Sequence, residues 1–188
     1  MKRLVVYNKI DLVPARKASE LLKEMHKNDG TPFMTLSTKE NININKLLQF
    51  VSQNAQPQFK TVGSWLMIGG VPNVGKSTII NSLRKRDTDI EHTKKSGAKT
   101  GGVPCITKSI SGFKIVSDPP TYVTDTPGIF IPKMRDSEQG MKLSACNCIR
   151  DGIIEPELVC DYVLFQLNKH RLFGYVQKYD LPDKYPTN

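Results

Sequence analysis

Short apolar runs alternate along the chain with amphipathic stretches, and their spacing predicts strands at 4–7, 33–36 and 64–69 and helices at 15–28, 43–53 and 76–85. Leu4-Val5-Val6-Tyr7 has the near-continuous apolar composition of a strand buried on both faces, while Leu21, Leu22 and Met25 lay an apolar stripe along the helix after it. Pro14 near the start of that helix and Asp29-Gly30 just past its end are start and stop signals. Strands that alternate with helices build a mostly parallel sheet covered on both faces, an α/β doubly wound fold. Residues 54–63 are a polar connector. Over 84–108 the periodicity is lost, and Arg84, Lys85, Arg86, Lys94, Lys95, Lys99 and Lys108 gather around Gly97, Gly101 and Gly102, which predicts a mobile basic loop. Strand-like stretches return at 109–116 and 121–124 on either side of the turn signal Asp118-Pro119-Pro120. Beyond residue 136 the pattern is helical, over 137–150 and 155–168, so the chain divides into a main domain of 1–136 and a short C-terminal helical appendage of 137–188.

Composition narrows the class. With 38% hydrophobic residues spread evenly over 188, the chain is not of the disordered type. No apolar run approaches the roughly 20 residues that cross a bilayer. An excess of 27 Lys and Arg over 18 Asp and Glu, net +9, favours a polyanionic partner such as RNA or anionic lipid but determines neither fold nor activity. Cys105, Cys146, Cys148 and Cys160 lack the paired spacing of a zinc site and are too few for a disulfide framework, which predicts reduced thiols. His26, His92 and His170 have no carboxylate or Ser partner at motif spacing and are expected to be structural. Met1-Lys2-Arg3 runs straight into the first strand, so the chain is expected either to begin inside its own sheet or to lack an upstream segment.

The strongest chemical signal is Gly70-Val71-Pro72-Asn73-Val74-Gly75-Lys76-Ser77, with Thr78 directly after it, between an apolar strand and a helix. This G-x-x-x-x-G-K-S pattern needs its glycines so that successive backbone N–H groups turn inward around phosphates at a helix N-terminus. Lys76 then bridges β- and γ-phosphate oxygens, and the Ser77 hydroxyl ligates Mg2+. The second signal, Asn8-Lys9-Ile10-Asp11, follows the first strand. The Asp11 carboxylate can accept from the ring N–H and the exocyclic amine of guanine, a donor pair that adenine lacks. Asn8 ties this loop to the base or to the phosphate loop, and the Lys9 stem lies along the base plane. Third is Asp125-Thr126-Pro127-Gly128, where Asp125 can hold Mg2+ through water and Gly128 can give its N–H to a γ-phosphate. Fourth is Ser37-Thr38-Lys39, whose backbone N–H groups can reach the guanine carbonyl. All four lie at strand ends, where open α/β sheets bind ligands.

With these motifs in hand, the chain resembles a P-loop GTPase of the translation-factor class with its motifs circularly permuted, because Asn8–Asp11 and Ser37–Lys39 precede Gly70–Ser77 and Asp125–Gly128. The permuted order, the G-x-P-N-V-G-K-S loop, Asp125-Thr126-Pro127-Gly128-Ile129 and the tail around Met141, Ile149-Arg150-Asp151 and Asp161-Tyr162 are similar to the YlqF/RbgA family, and within it to the mitochondrial members that help assemble the large ribosomal subunit. The resemblance implies binding of GTP and GDP, GTP hydrolysis with Mg2+, contact with the large subunit and its rRNA, and a mitochondrial location with, at most, peripheral membrane association. It implies catalytic roles for Lys76 and Gly128, and for Asn73 a part in holding an activating K+. It also implies that Thr107 is the switch threonine that closes over Mg2+, with Thr100 a competing candidate because Cys105 stands where the family usually has Gly. Ile129 occupies the place of a water-orienting Gln, and its side chain cannot hydrogen-bond water, so slow turnover stimulated by K+ and the ribosome is expected. The basic loop 84–108 would touch rRNA.

The resemblance implies departures at both ends: the chain is expected to be shortened in its C-terminal helical domain, and near its N-terminus in a way that bears on the fold. Its relatives carry a further strand that lies between the phosphate-loop strand and the Asn8–Asp11 strand. Here that central strand is expected to be missing, which predicts a gap in the sheet between the phosphate and base halves of the site and either a truncated gene product or an incomplete gene model. Two other classes remain open at this stage. One is a GTP-responsive or nucleotide-independent rRNA-associated module with negligible hydrolysis; the other is an ATPase, disfavoured by Asn8–Asp11.

Overall fold

The structure, a computed structural model, describes residues 3–55, 63–86, 111–129, 134, 136–149 and 152–182. Its contacts divide the chain into two units, Met1–Ile129 and Phe130–Asn188.

In the first unit, β1 (Val5–Tyr7) runs parallel to β2 (Phe33–Thr35), with Val6 opposite Met34. The crossover between them is α1 (Ala15–Met25), the connection that parallel strands require. After β2 comes α2 (Ile44–Asn54). A second sheet has the order β3-β5-β4: β3 (Ser64–Ile68) is parallel to β5 (Thr121–Asp125), and β4 (Ser111–Val116) is antiparallel to β5. Between β3 and β4 in sequence lies α3 (Lys76–Arg84).

The apolar periodicity of α2 and α3 meets the sheets in one core, in which Leu36, Ile44, Leu47, Ile80, Leu83 and Ile115 are buried. Strand alternation does the rest on β3: Leu66 and Ile68 pack against that core, whereas Trp65 and Met67 on the other face are exposed. Truncating a residue such as Ile80, fully buried, would cost about 2–5 kcal/mol.

The two sheets do not join. Among the described residues no strand pairs with β1 on the side away from β2, or with β3 on the side away from β5. A cavity of about 250 Å³ lies there, lined by Leu4 and Val6 from the first sheet, Leu66 and Ile68 from the second, and Leu47 and Ile79 from α2 and α3. This is the gap expected between the phosphate-loop strand and the strand that leads to Asn8–Asp11.

The second unit contains α4 (Ser137–Ala145), α5 (Pro156–Lys169) and the short α6 (Gly174–Lys178). The Asp136 carboxylate caps α4 by accepting from the Gln139 N–H at 2.7 Å. Among the described residues no helix is long and apolar enough to cross a membrane.

Most predicted elements are present, with shifted ends. α1 stops at Met25 rather than 28, because residues 26–29 leave the helix as a turn. The helix expected over 137–150 stops at Ala145. Residues 109 and 110, at the start of the strand expected over 109–116, lie outside the described residues. No pattern in the sequence announces α6.

Candidate functional site

The phosphate loop occupies the turn from β3 into α3. Its residues curl around their own lysine: the buried Lys76 ammonium donates to the Gly70 carbonyl at 3.1 Å and the Val71 carbonyl at 2.9 Å. The curl depends on left-handed backbone at two places, Asn73 (φ +59°) and Gly75 (φ +97°), the residue that caps α3. Such a loop, opening at a helix N-terminus, is built to receive anionic oxygens.

Beside it, β5 ends in Asp125, whose Cα is in register with that of Ile68 at the end of β3. The Ser77 hydroxyl donates to Asp125 Oδ2 at 2.7 Å. Asp125 is 1% exposed, and its Oδ1 has no hydrogen-bond partner among the described residues. A buried carboxylate oxygen without a donor, next to a serine hydroxyl, is a hard oxygen pair suited to a divalent cation such as Mg2+. The chain after Asp125 then folds back over the loop. Thr126 donates its hydroxyl to the Ile68 carbonyl at 2.7 Å, and the Ile129 N–H donates to the Gly70 carbonyl at 3.0 Å. Gly128 lies so close to the loop that a Cβ there would stand 2.5 Å from Pro72 Cγ, so only glycine fits.

The base half hangs from β1. Asn8 and Lys9 leave the strand, Lys9 in a left-handed conformation at φ +62°, and a 3-10 turn over Ile10–Leu12 presents Asp11. Across the gap in the sheet the two halves are nevertheless tied. Asn8 Nδ2 donates to the Val74 carbonyl at 2.9 Å, and Lys9 Nζ donates to the Asn73 carbonyl at 2.8 Å. Asn8 Oδ1 accepts from the Thr38 N–H at 3.3 Å, so one side chain holds three segments together. Of the two ties open to Asn8, to the base or to the phosphate loop, the structure has the second, and side chains at the carboxyl ends of the strands span the gap where backbone pairing does not.

Asp11 is backed by Ser37, whose hydroxyl donates to Asp11 Oδ1 at 2.6 Å. That bond holds the Asp11 carboxyl below its ordinary pKa, against an opposing effect of burial, so the group is an ionised acceptor at neutral pH. The backbone N–H of Ser37, expected to face the base, donates instead to the Ile42 carbonyl at 3.2 Å. Ser37 thus acts through its hydroxyl, and the Thr38 N–H is likewise committed, to Asn8.

Thr107, Thr100 and residues 87–108 of the basic loop lie outside the described residues. Of its three described cations, Arg84 places its guanidinium 5.5 Å from the Phe113 ring centroid, and Arg86 bonds the side chains of Asn41 and Asn45. Both are engaged with the fold. Tyr7, His26 and Asp29, which belong to no sequence motif, form a bonded series behind β1.

The description "50S ribosome-binding GTPase" belongs to a family model that matches residues 66–179, more than half of the chain. This chain belongs to the 50S ribosome-binding GTPase family. Among curated members of similar sequence, "Mitochondrial ribosome-associated GTPase 1" of Ictalurus punctatus is 35% identical over 95% of this chain and 57% of its own length. "Mitochondrial GTPase 1" of Saccharomyces cerevisiae is 32% identical over 99% of this chain and 55% of its own. The chain spans about half the length of the curated relatives it matches. Among solved structures, GNP-bound YlqF from T. maritima superposes with a TM-score of 0.57 at 22% identity, over 96% of this chain and 68% of that one. GDP-bound YlqF gives 0.54 at 21% identity, over 97% and 63%. These likenesses show that this chain has the fold of YlqF.

Proposed function

We propose that this chain binds GTP and GDP, hydrolyses GTP and assists assembly of the large mitochondrial ribosomal subunit, in the matrix or peripherally at the inner membrane. The observation that carries this reading is the convergence of Asn8 and Lys9 on the Val74 and Asn73 carbonyls, which sets the base-reading and phosphate-holding motifs at one site. Asp11 reads the guanine edge, with Asn8, Lys9, Ser37 and Thr38 framing the base. Residues 70–78 hold the phosphates, Lys76 neutralises charge on them and Gly128 gives its N–H to the γ-phosphate. Ser77, Asp125 and Thr107 would hold Mg2+, which supplies Lewis acidity at the phosphates, and Asn73 would hold K+. Net charge +9 suits an rRNA partner, and the names of the relatives support ribosome and mitochondrion.

A fluorescent-GTP titration of the chain in KCl and Mg2+, with competitors, tests the reading. GDP and GTP should displace the probe and ATP should not, and turnover should rise when K+ replaces Na+ and when large ribosomal subunits are added. Displacement by ATP as effective as by GTP would refute it. A second reading has its own support: Ile129 is apolar and 63% exposed where a water-orienting side chain would stand, which favours a GTP-responsive binding module with negligible turnover. Binding without stimulated turnover would decide for that module.

Ser77→Ala should weaken GTP binding about tenfold in Mg2+, the size of one lost charge-assisted contact, and leave binding in EDTA unchanged. An equal loss in both conditions would remove Ser77 from the metal site.

A further inference from the structure

β1 is three residues long and has one hydrogen-bonded neighbour among the described residues, yet its carboxyl end must hold Asn8 and Asp11 in place. Backbone bonds contribute part of the restraint, from the Leu36 N–H to the Tyr7 carbonyl at 2.9 Å and from the Ile10 N–H to the Leu36 carbonyl at 3.1 Å. Besides the side-chain bonds of Asn8, Lys9 and Asp11 themselves, a further restraint comes from the side chain of Tyr7, the last residue of β1. Its hydroxyl lies 2.9 Å from His26 Nε2, and His26 Nδ1 lies 3.2 Å from Asp29 Oδ1. Asp29 Oδ1 also accepts from the Thr31 N–H at 2.9 Å. That N–H first, and His26 after it, hold the Asp29 carboxyl below its ordinary pKa. An ionised carboxylate at Nδ1 places the imidazole proton there, so Nε2 is the acceptor and the Tyr7 O–H donates to it. The imidazole is 9% exposed and stacks on Phe33 at 4.7 Å between centroids, while Phe33 meets Tyr7 edge to face. The series thus anchors the end of β1 to the cap of α1 and the start of β2.

We propose that Tyr7, His26 and Asp29 are positioning residues for base recognition: they set the exit of β1 so that Asp11 meets both donors of guanine, and they thereby determine selectivity for guanine over hypoxanthine. The proposal rests on the reading of Asp11 as the guanine acceptor. Fixing Tyr7 from behind leaves Asn8 presented toward the phosphate loop, where it bonds Val74. Hypoxanthine lacks the exocyclic amine, so the ratio of GDP to IDP affinity reports how well the carboxylate is aimed, independently of how much protein is folded.

Tyr7→Phe deletes one oxygen and keeps the ring packing. The wild-type chain should prefer GDP over IDP by about tenfold to a hundredfold, the worth of one charge-assisted hydrogen bond. In Tyr7→Phe that ratio should fall about three- to tenfold, as expected for a lost neutral bond in the support. His26→Ala should lower it similarly, and the double variant should lose no more than the single ones, because the groups act in series. Amide hydrogen exchange of the nucleotide-free chain supplies a second readout. Exchange at Ile10 and Thr38 should quicken in Tyr7→Phe while Ile79, bonded to Gly75 in α3, keeps its rate. A Tyr7→Phe chain with wild-type exchange at Ile10 and Thr38 and an unchanged GDP to IDP ratio would overturn the proposal. A wild-type chain that binds GDP and IDP equally would overturn the guanine reading itself, and exchange at the same amides would still decide the anchoring role.

Discussion

Asp11→Asn is expected to cost roughly a hundredfold in GDP affinity, about 3 kcal/mol, and to turn the preference toward XDP. On the proposed reading the Asp11 carboxylate, held below its ordinary pKa by the Ser37 hydroxyl 2.6 Å away, would present acceptors to the ring N–H and the exocyclic amine of guanine. An asparagine replaces one acceptor with an N–H donor, which faces the guanine amine unfavourably. Xanthine carries a carbonyl in place of that amine, so the new donor finds an acceptor there. Ser37 can support the asparagine as it supports the aspartate, by donating to the remaining oxygen, so the substitution changes recognition more than fold. Competition of GDP, XDP and ATP against a fluorescent nucleotide measures the exchange. A variant that keeps wild-type GDP affinity would remove Asp11 from the base site.

The parts of this molecule that were legible in the sequence are those governed by local periodicity and by turns with strong backbone demands. The β/α alternation, the loop between β3 and α3, and the hairpin β4–β5 follow from apolar spacing, from glycines and from Asp118-Pro119-Pro120. Helix ends were less legible, for a specific reason. The usual stop signal is a glycine in left-handed conformation just past the cap. Here α4, α5 and α6 end on Asn147 (φ +55°), Arg171 (φ +56°) and Asp180 (φ +50°). Each helix closes with the same pair of bonds, as in Asn147 N–H to Ser144 and Cys148 N–H to Leu143, so the stop is real but carries no glycine to announce it. The pairing of His26 with Asp29 was hidden similarly: they stand three positions apart, but both lie beyond the end of α1, where helical spacing no longer says which side chains meet. The candidate site was legible as motifs at strand ends, and one tie within it, from Asn8 toward the phosphate loop, was among the readings open. The expected gap between base and phosphate halves is present, and the Asn8 and Lys9 side chains span it.

That closure makes Gly75 the position where the smallest substitution should do the most damage. Gly75→Ala is expected to reduce nucleotide affinity about a hundredfold or more while lowering stability by only about 1–2 kcal/mol, the strain of a non-glycine residue in left-handed backbone. At φ +97° a Cβ on residue 75 would stand 2.3 Å from Asn8 Nδ2, inside any permitted contact. The amide of Asn8 is the end of a flexible side chain, so it can swing away and the fold survives. In swinging away it gives up the Val74 carbonyl and the Thr38 N–H, the bonds that register β1 and the base loop against the phosphate loop. With no strand between β1 and β3 among the described residues, backbone pairing does not make up for that loss. Gly30→Ala supplies the control. Gly30 is also left-handed, at φ +59°, but among the described residues nothing lies within 4 Å of its added Cβ, so it should carry the strain alone and bind nucleotide like the wild type. Thermal unfolding and nucleotide titration of both variants separate the two effects. Comparable binding by Gly75→Ala and Gly30→Ala would show that the two halves of the site stay in register without Asn8.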